Sequence, residues 1–230
     1  MKRLIVLSGE AGAGKDSLAK LLVDEFDWTL YSLAGPLKRF AADMFGFTDE
    51  QLYGPSSFRN APDPRWARPC STCAGTGKVY GTDHPHWCAK VEGGMPGKLN
   101  DNSPRRVLQL LGEEYLRQMI HPDALTIRAR LDIEMALDAG ESVVINDARN
   151  PNDRDNLHAW LGAVRVDVRS ERTKEVKPNS AWRQHSSEQR QPTDADVEYV
   201  LQNDEEWPFR TLKSKTIEML QHFYVRAYDL

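Results

Sequence analysis

Leu4-Ile5-Val6-Leu7-Ser8-Gly9-Glu10-Ala11-Gly12-Ala13-Gly14-Lys15-Asp16-Ser17 runs from a short apolar segment, through a glycine-rich turn, into a segment with Leu18, Leu21 and Leu22 at helical spacing. The order predicts a buried strand over residues 2–7, a turn over 8–14 and a helix over 15–26. Glycines let consecutive backbone N–H groups curl around an anion, the helix N-terminus adds partial positive charge, and Lys15 can reach the outer phosphates of a nucleotide. Gly12, Ala13, Gly14, Lys15, Asp16 and Ser17 are therefore read as a phosphate-binding loop. Asp16 stands where a serine or threonine usually offers magnesium a hydroxyl. A carboxylate can hold the ion directly or through water, and Ser17 can donate to an inner phosphate. The competing reading is a glycine-rich turn in which Asp16 only complements the helix dipole.

Beyond this loop, strand and helix patterns alternate. Trp28–Leu33 reads as a strand, Pro36–Phe45 as a helix stopped by Gly46, and Thr48 with Gln51 as a capping box opening a short helix. Ser103-Pro104 opens a helix through about Met119, and a second runs from about Pro122 to Ala139. Strands are expected at Ser142–Asn146, Ala163–Val168 and Glu198–Gln202, with helices at Pro151–Leu161 and Trp207–Tyr228. Alternation of this kind predicts an α/β fold with a parallel sheet covered on both faces. Asn146-Asp147-Ala148-Arg149 follows a strand and so falls at its carboxyl end. There Asp147 can help hold magnesium or its water and Arg149 can grip a phosphate bidentately. The alternative is a polar loop in which Asp147 pairs with Arg149 or Arg154. Arg105, Gln109 and Glu113, four apart, share one face of their predicted helix.

Helical and strand periods fade over 55–100, where prolines and glycines abound and all three cysteines lie. Cys70 and Cys73 have the spacing of a zinc half-site; His84 and Cys88 complete a tetrahedral set, with His86 competing as the fourth ligand. Flexible loop with unligated thiols is the other reading. Bound Zn2+ would be structural, stapling an arm too small for its own core. Residues 169–190 are polar and arginine-rich and read as a lid.

Over 230 residues the chain is 40% hydrophobic and 28% charged, which suits one domain with an inserted arm. With 30 basic against 34 acidic residues, the net charge of -4 argues against a protein that coats nucleic acid. No apolar run approaches the roughly 20 residues of a bilayer-spanning helix, and the N-terminus turns polar too soon for a signal peptide. A cytoplasmic location is expected.

Gly-Lys-Asp-Ser at 14–17, Ala34-Gly35-Pro36-Leu37-Lys38, Pro104-Arg105-Arg106-Val107-Leu108-Gln109 with Gly112-Glu113-Glu114, and Asn146-Asp147-Ala148-Arg149-Asn150-Pro151-Asn152 stand in an order that resembles the bacteriophage-type deoxynucleoside monophosphate kinases. His185-Ser186-Ser187-Glu188 and Asn203-Asp204 extend the resemblance, which covers almost the whole chain except 55–100. It implies a P-loop fold with a five-stranded parallel sheet, and transfer of the γ-phosphoryl of ATP, with Mg2+, to a deoxynucleoside monophosphate. By that resemblance Lys15 and Asn203 serve the donor, Lys38 and Arg149 the acceptor phosphate, and Arg169 and Arg172 close over the transferring group. Arg105, Gln109 and Glu113 would read the acceptor nucleotide. The segment 55–100 departs from the family pattern and lies where a monophosphate-binding arm is expected. Expected partners are small nucleotides, with no membrane and no nucleic acid and with room for a homodimer. Two rivals remain: a P-loop kinase of another small molecule, such as dephospho-coenzyme A, and a nucleic-acid-binding protein switched by ATP.

Overall fold

The computed structural model describes residues 3–10, 12–66, 78–79, 82–83, 103–171, 196–203 and 208–224. The chain divides into two compact units, one from Met1 to Ala34 and from Asp123 to Leu230, the other from Gly35 to Pro122.

The first unit holds a five-stranded sheet, all of it parallel. Its strands are β1 (Arg3–Ser8), β2 (Trp28–Tyr31), β5 (Ser142–Ile145), β6 (Val164–Arg169) and β7 (Tyr199–Gln202), in the order β2-β5-β1-β6-β7. Alternate residues of each strand point to opposite faces, and both faces are apolar here. Ile5 and Leu7 of β1 join Val144, Val166 and Val168 under helix α1 (Lys15–Phe26) and the C-terminal helix α8 (Pro208–Tyr224), which contributes Leu212, Met219 and Leu220. Leu4 and Val6 join Val143 and Ile145 on the other face, packed by Ile133 and Leu137 of α6 (Ala124–Asp138) and Leu157 of α7 (Pro151–Leu161). Burying a Leu or Ile side chain is worth about 1.5–3 kcal/mol, so these two layers dominate the unit's stability. The layered α/β architecture matches the alternation read from the sequence.

The second unit is mostly helical: α2 (Gly35–Phe45), α3 (Asp49–Tyr53), α4 (Ser56–Asn60), a 3-10 turn at Pro64–Trp66, α5 (Pro104–Gln109) and a π-helix at Leu110–Ile120. A two-residue ladder joins β3 (Lys78–Val79) to β4 (Thr82–Asp83). Ala41, Phe47, Leu52 and Val107 form its small core. Both expected caps are present. Ser103 Oγ accepts from Arg106 N at 3.3 Å with Pro104 behind it, and Thr48 and Gln51 exchange both capping-box bonds.

Two details differ from the sequence reading. The single helix expected from Ser103 to about Met119 changes winding after Gln109, closing as i→i+5 turns such as His121 N to Leu116 O at 2.9 Å. Gly112 sits inside this stretch, where an added Cβ would come within 3.2 Å of Leu37 Cδ2, so the backbone packs closely against α2. The slower winding stacks Arg106 over Glu114, eight residues on, at 3.1 Å. The second detail is local order over 55–66, inside the stretch where the sequence shows no helical or strand period. There Asp63 gathers Arg65 and Gln51 around one buried carboxylate.

Candidate active site

β1 is the middle strand, so the loop after it opens at the carboxyl end of the sheet, where open α/β folds take their ligands. Gly9 and Gly14 both have positive φ, at 128° and 105°, and both are wedged. A Cβ on Gly9 would come within 2.1 Å of the Val168 carbonyl oxygen, and one on Gly14 within 2.2 Å of Asn203 Nδ2. At Gly12 a Cβ would meet nothing within 4 Å among the described residues, so against these the loop is pinned at its ends and open at its middle. Lys15 Nζ donates to the carbonyls of Gly9 at 2.7 Å and Glu10 at 2.8 Å, which holds the ammonium against the loop. Helix α1 starts at Lys15, and its N-cap, Gly14, has no side chain to cap it. Its first-turn N–H groups carry the helix's partial positive charge beside that ammonium.

The loop rests on the ends of three other strands. After β5, Asn146 Nδ2 donates to Asp16 Oδ1 at 2.7 Å. The next residue, Asp147, takes Leu33 N on one oxygen at 2.8 Å, and Ser32 Oγ at 2.5 Å and Ala34 N at 3.1 Å on the other. Asp147 thus clamps the segment after β2. Arg154 of α7 is buried and donates to the carbonyl oxygens of Arg149 at 3.0 Å and Ala148 at 3.4 Å. Burial pushes its guanidinium below the usual arginine value. Its grip fixes the backbone of Arg149, whose own side chain is exposed.

At the end of β6, Asp167 is 4% exposed and faces its register partner Ser8 across the ladder, accepting from Ser8 Oγ at 3.1 Å. Its other oxygen takes Arg169 Nε at 2.7 Å. Arg169 O accepts from Asn203 N at 2.8 Å, and Asn203 Nδ2 donates to Ala13 O, also at 2.8 Å. A continuous set of hydrogen bonds therefore runs from the base of Arg169 to the back of the glycine-rich loop. Gly12, Ala13, Gly14, Lys15, Asp16, Arg169 and Asn203 are brought together; Ser17 is exposed on the first turn of α1.

In the second unit, Lys38 lies half-buried near the start of α2 with its Nζ 4.4 Å from the Tyr53 ring centroid. Arg105 and Gln109 keep their spacing on α5. Glu113 falls in the π-helix and pairs with Arg117 at 3.6 Å.

No protein-family model matches the chain. A protein of Acanthamoeba polyphaga mimivirus named as a deoxynucleotide monophosphate kinase is 28% identical over 175 residues, 71% of this chain and 73% of its own length. The deoxynucleoside-5'-monophosphate kinase of Escherichia phage T5 is 30% identical over 200 residues, 73% of this chain and 78% of its own. The chain belongs to the deoxynucleoside monophosphate kinase family.

Most of the residues that brace the glycine-rich loop are not marked in the sequence. Ser8, Ser32, Arg154 and Asp167 carry no motif; only the three-dimensional pairing of strand ends reveals them. Arg154 enters the sequence reading only as a side-chain pair for Asp147, whereas it grips the carbonyls of Ala148 and Arg149. Cys70, Cys73, His84, His86, Cys88, Arg172 and the His185–Glu188 motif lie outside the described residues. Among the described residues no cluster of three or more metal-binding side chains occurs and no helix is long and apolar enough to cross a membrane.

Proposed function

We propose that this chain transfers the γ-phosphoryl group of ATP to a deoxynucleoside 5'-monophosphate, giving ADP and the deoxynucleoside diphosphate. The observation that carries this reading is the braced loop at residues 9–17, open at Gly12 and carrying Lys15, in a member of this kinase family. An oxygen of the acceptor phosphate attacks the γ-phosphorus, and the bond to the β–γ bridging oxygen breaks with its electron pair leaving on ADP. Such a transition state needs positioned positive charge more than covalent help. Lys15 neutralises the donor's outer phosphates, exchanging its carbonyl partners for phosphate oxygens. Arg169 is held through Nε by Asp167, which aims its guanidinium for the transferring group. Arg149 and Lys38 take the acceptor phosphate, and Arg105, Gln109 and Glu113 read the rest of the acceptor. Asn203 acts on the donor side by holding the loop in shape.

The donor set fits Mg2+: Asp16 offers an exposed carboxylate on the first turn of α1 with the Ser17 hydroxyl beside it. When bound there, the ion would supply charge to the donor's phosphates. Asp147, with three donors on its carboxylate, supports the site as a clamp on residues 32–34 rather than as a bare ligand.

Two finer readings belong here. Cys70, Cys73 and Cys88 with His84, or with His86, form a structural zinc site in the arm over 55–100, and residues 169–190 form a lid. The reaction takes place in the cytoplasm of a host cell if the gene is viral, as the relatives' sources suggest. An ADP-release assay over the four common deoxynucleoside monophosphates tests the main reading. Turnover with at least one of them is expected, and no turnover with any would overturn it; dephospho-coenzyme A in the same panel separates the rival kinase.

A further inference from the structure

Tyr53 ends a helix of five residues, far too short to persist by itself, yet its surroundings fix it firmly. Thr48 and Gln51 close a complete capping box at the N-terminus. Gln51 Nε2 also donates to Asp63 Oδ2 at 2.9 Å, and Asp63 is locked in turn by Arg65 through its backbone N, Nε and a terminal nitrogen. Leu52 is buried in the small core of the unit. At the other end Gly54 is required, because a Cβ there would come within 2.4 Å of the Glu50 carbonyl oxygen. This scaffolding delivers an aromatic ring that is 56% exposed, beneath an ammonium 4.4 Å from its centroid. The ammonium belongs to Lys38.

We propose that Tyr53 is a positioning residue for the acceptor site: its ring face holds the Lys38 ammonium by a cation–π contact, so that the lysine meets the acceptor phosphate already placed. The argument is geometric and electrostatic. A ring quadrupole attracts a cation within about 6 Å of its centroid without occupying any N–H donor. The ammonium keeps its charge and its capacity to donate to phosphate oxygens while losing much of the rotamer freedom that a long side chain surrenders on binding. A carboxylate at this position would hold Lys38 as firmly but would repel the incoming phosphate. The aromatic ring orients the cation without adding negative charge. This rests on the reading of Lys38 as a ligand of the acceptor phosphate.

The test compares Tyr53→Phe, which keeps the ring face, with Tyr53→Leu, which keeps apolar bulk and loses it, alone and together with Lys38→Met. In protein carrying carbon-13 at the lysine ε-position, the Lys38 ε-methylene protons, identified by their loss in Lys38→Met, are expected upfield of the other lysines. The shift is retained in Tyr53→Phe and lost in Tyr53→Leu. Steady-state assays are expected to show KM for the monophosphate raised about three- to tenfold by Tyr53→Leu, with kcat and KM for ATP changed much less. Tyr53→Phe restores the wild-type KM, and Tyr53→Leu adds nothing once Lys38 is Met. Two results would overturn the proposal: an unshifted Lys38 resonance, or a Tyr53→Leu enzyme with normal monophosphate KM while Lys38→Met raises it. If Lys38→Met itself leaves KM unchanged, the assignment of Lys38 to the acceptor is wrong and the role of Tyr53 falls with it.

Discussion

Asn203 and Ala13, 190 residues apart in the chain, meet in a single hydrogen bond, and the same amide blocks any side chain at Gly14. That pairing makes a specific prediction. Gly14→Ala introduces both a clash with Nδ2 and the cost of a left-handed backbone, about 1–2 kcal/mol for a non-glycine residue. It is expected to lower the melting temperature and abolish binding of a non-hydrolysable ATP analogue in a fluorescence titration. Asn203→Ala removes the obstruction, so the added cost of Gly14→Ala in that background is smaller but not zero, because the φ of 105° remains. Additive losses in thermal melts would show that the contact is incidental. Lys15 acts differently, since its amine supports no core. Lys15→Ala is expected to lower kcat by orders of magnitude with the melting temperature nearly unchanged, and Arg149→Ala to behave likewise.

At the scale of elements, α3 and the Asp63 node show how a short segment is stabilised by polar contacts. Hydrogen bonding from the Arg65 side chain holds the Asp63 carboxyl well below the usual carboxylate range, and bonds from Gln51 and the Arg65 backbone add to it against the opposing effect of burial. The folded value lies below the unfolded one, about 3.9. The stability Asp63 contributes is therefore complete above that pH and is lost as pH falls below about 4 toward the folded value. Asp63→Asn is expected to cost about 1–3 kcal/mol at neutral pH and to flatten the acid limb of a stability-against-pH curve from urea melts. An unaltered acid limb would contradict the assignment. The Asp63 node was not legible in the sequence. The capping box was, because Thr48 and Gln51 are three apart and a cap is a local interaction; Asp63 reaches Gln51 across 12 residues without a period to announce it. The π-helix was invisible for a related reason: Arg105, Gln109 and Glu113 have ordinary helical spacing, and only close packing of Gly112 on α2 accompanies the change of winding. Strands β1 and β5 were readable because both their faces are apolar, and the glycine-rich turn because its glycines answer to local backbone geometry.

At the scale of the whole molecule, the α/β alternation and the glycine-rich turn are legible in the sequence, whereas the pieces that brace that turn come from strand ends distant in the chain. A net charge of -4 is compatible with binding anionic nucleotides, since phosphate recognition asks for a few cations at defined positions. The three cysteines concentrate in 70–88, and that grouping makes metal content a molecular property to measure. Purified protein is expected to hold one equivalent of zinc by elemental analysis, and Cys70→Ser to lose it; a metal-free, fully active preparation would reject the zinc site. The central claim is the direction of phosphoryl flow, and one measurement reads it directly. ATP labelled at the γ-phosphorus is incubated with Mg2+, this protein and each deoxynucleoside monophosphate in turn, and the products are separated. The account predicts label in the β-phosphate of a deoxynucleoside diphosphate, absent with Lys15→Ala; label that stays in ATP or emerges only as free phosphate would contradict it.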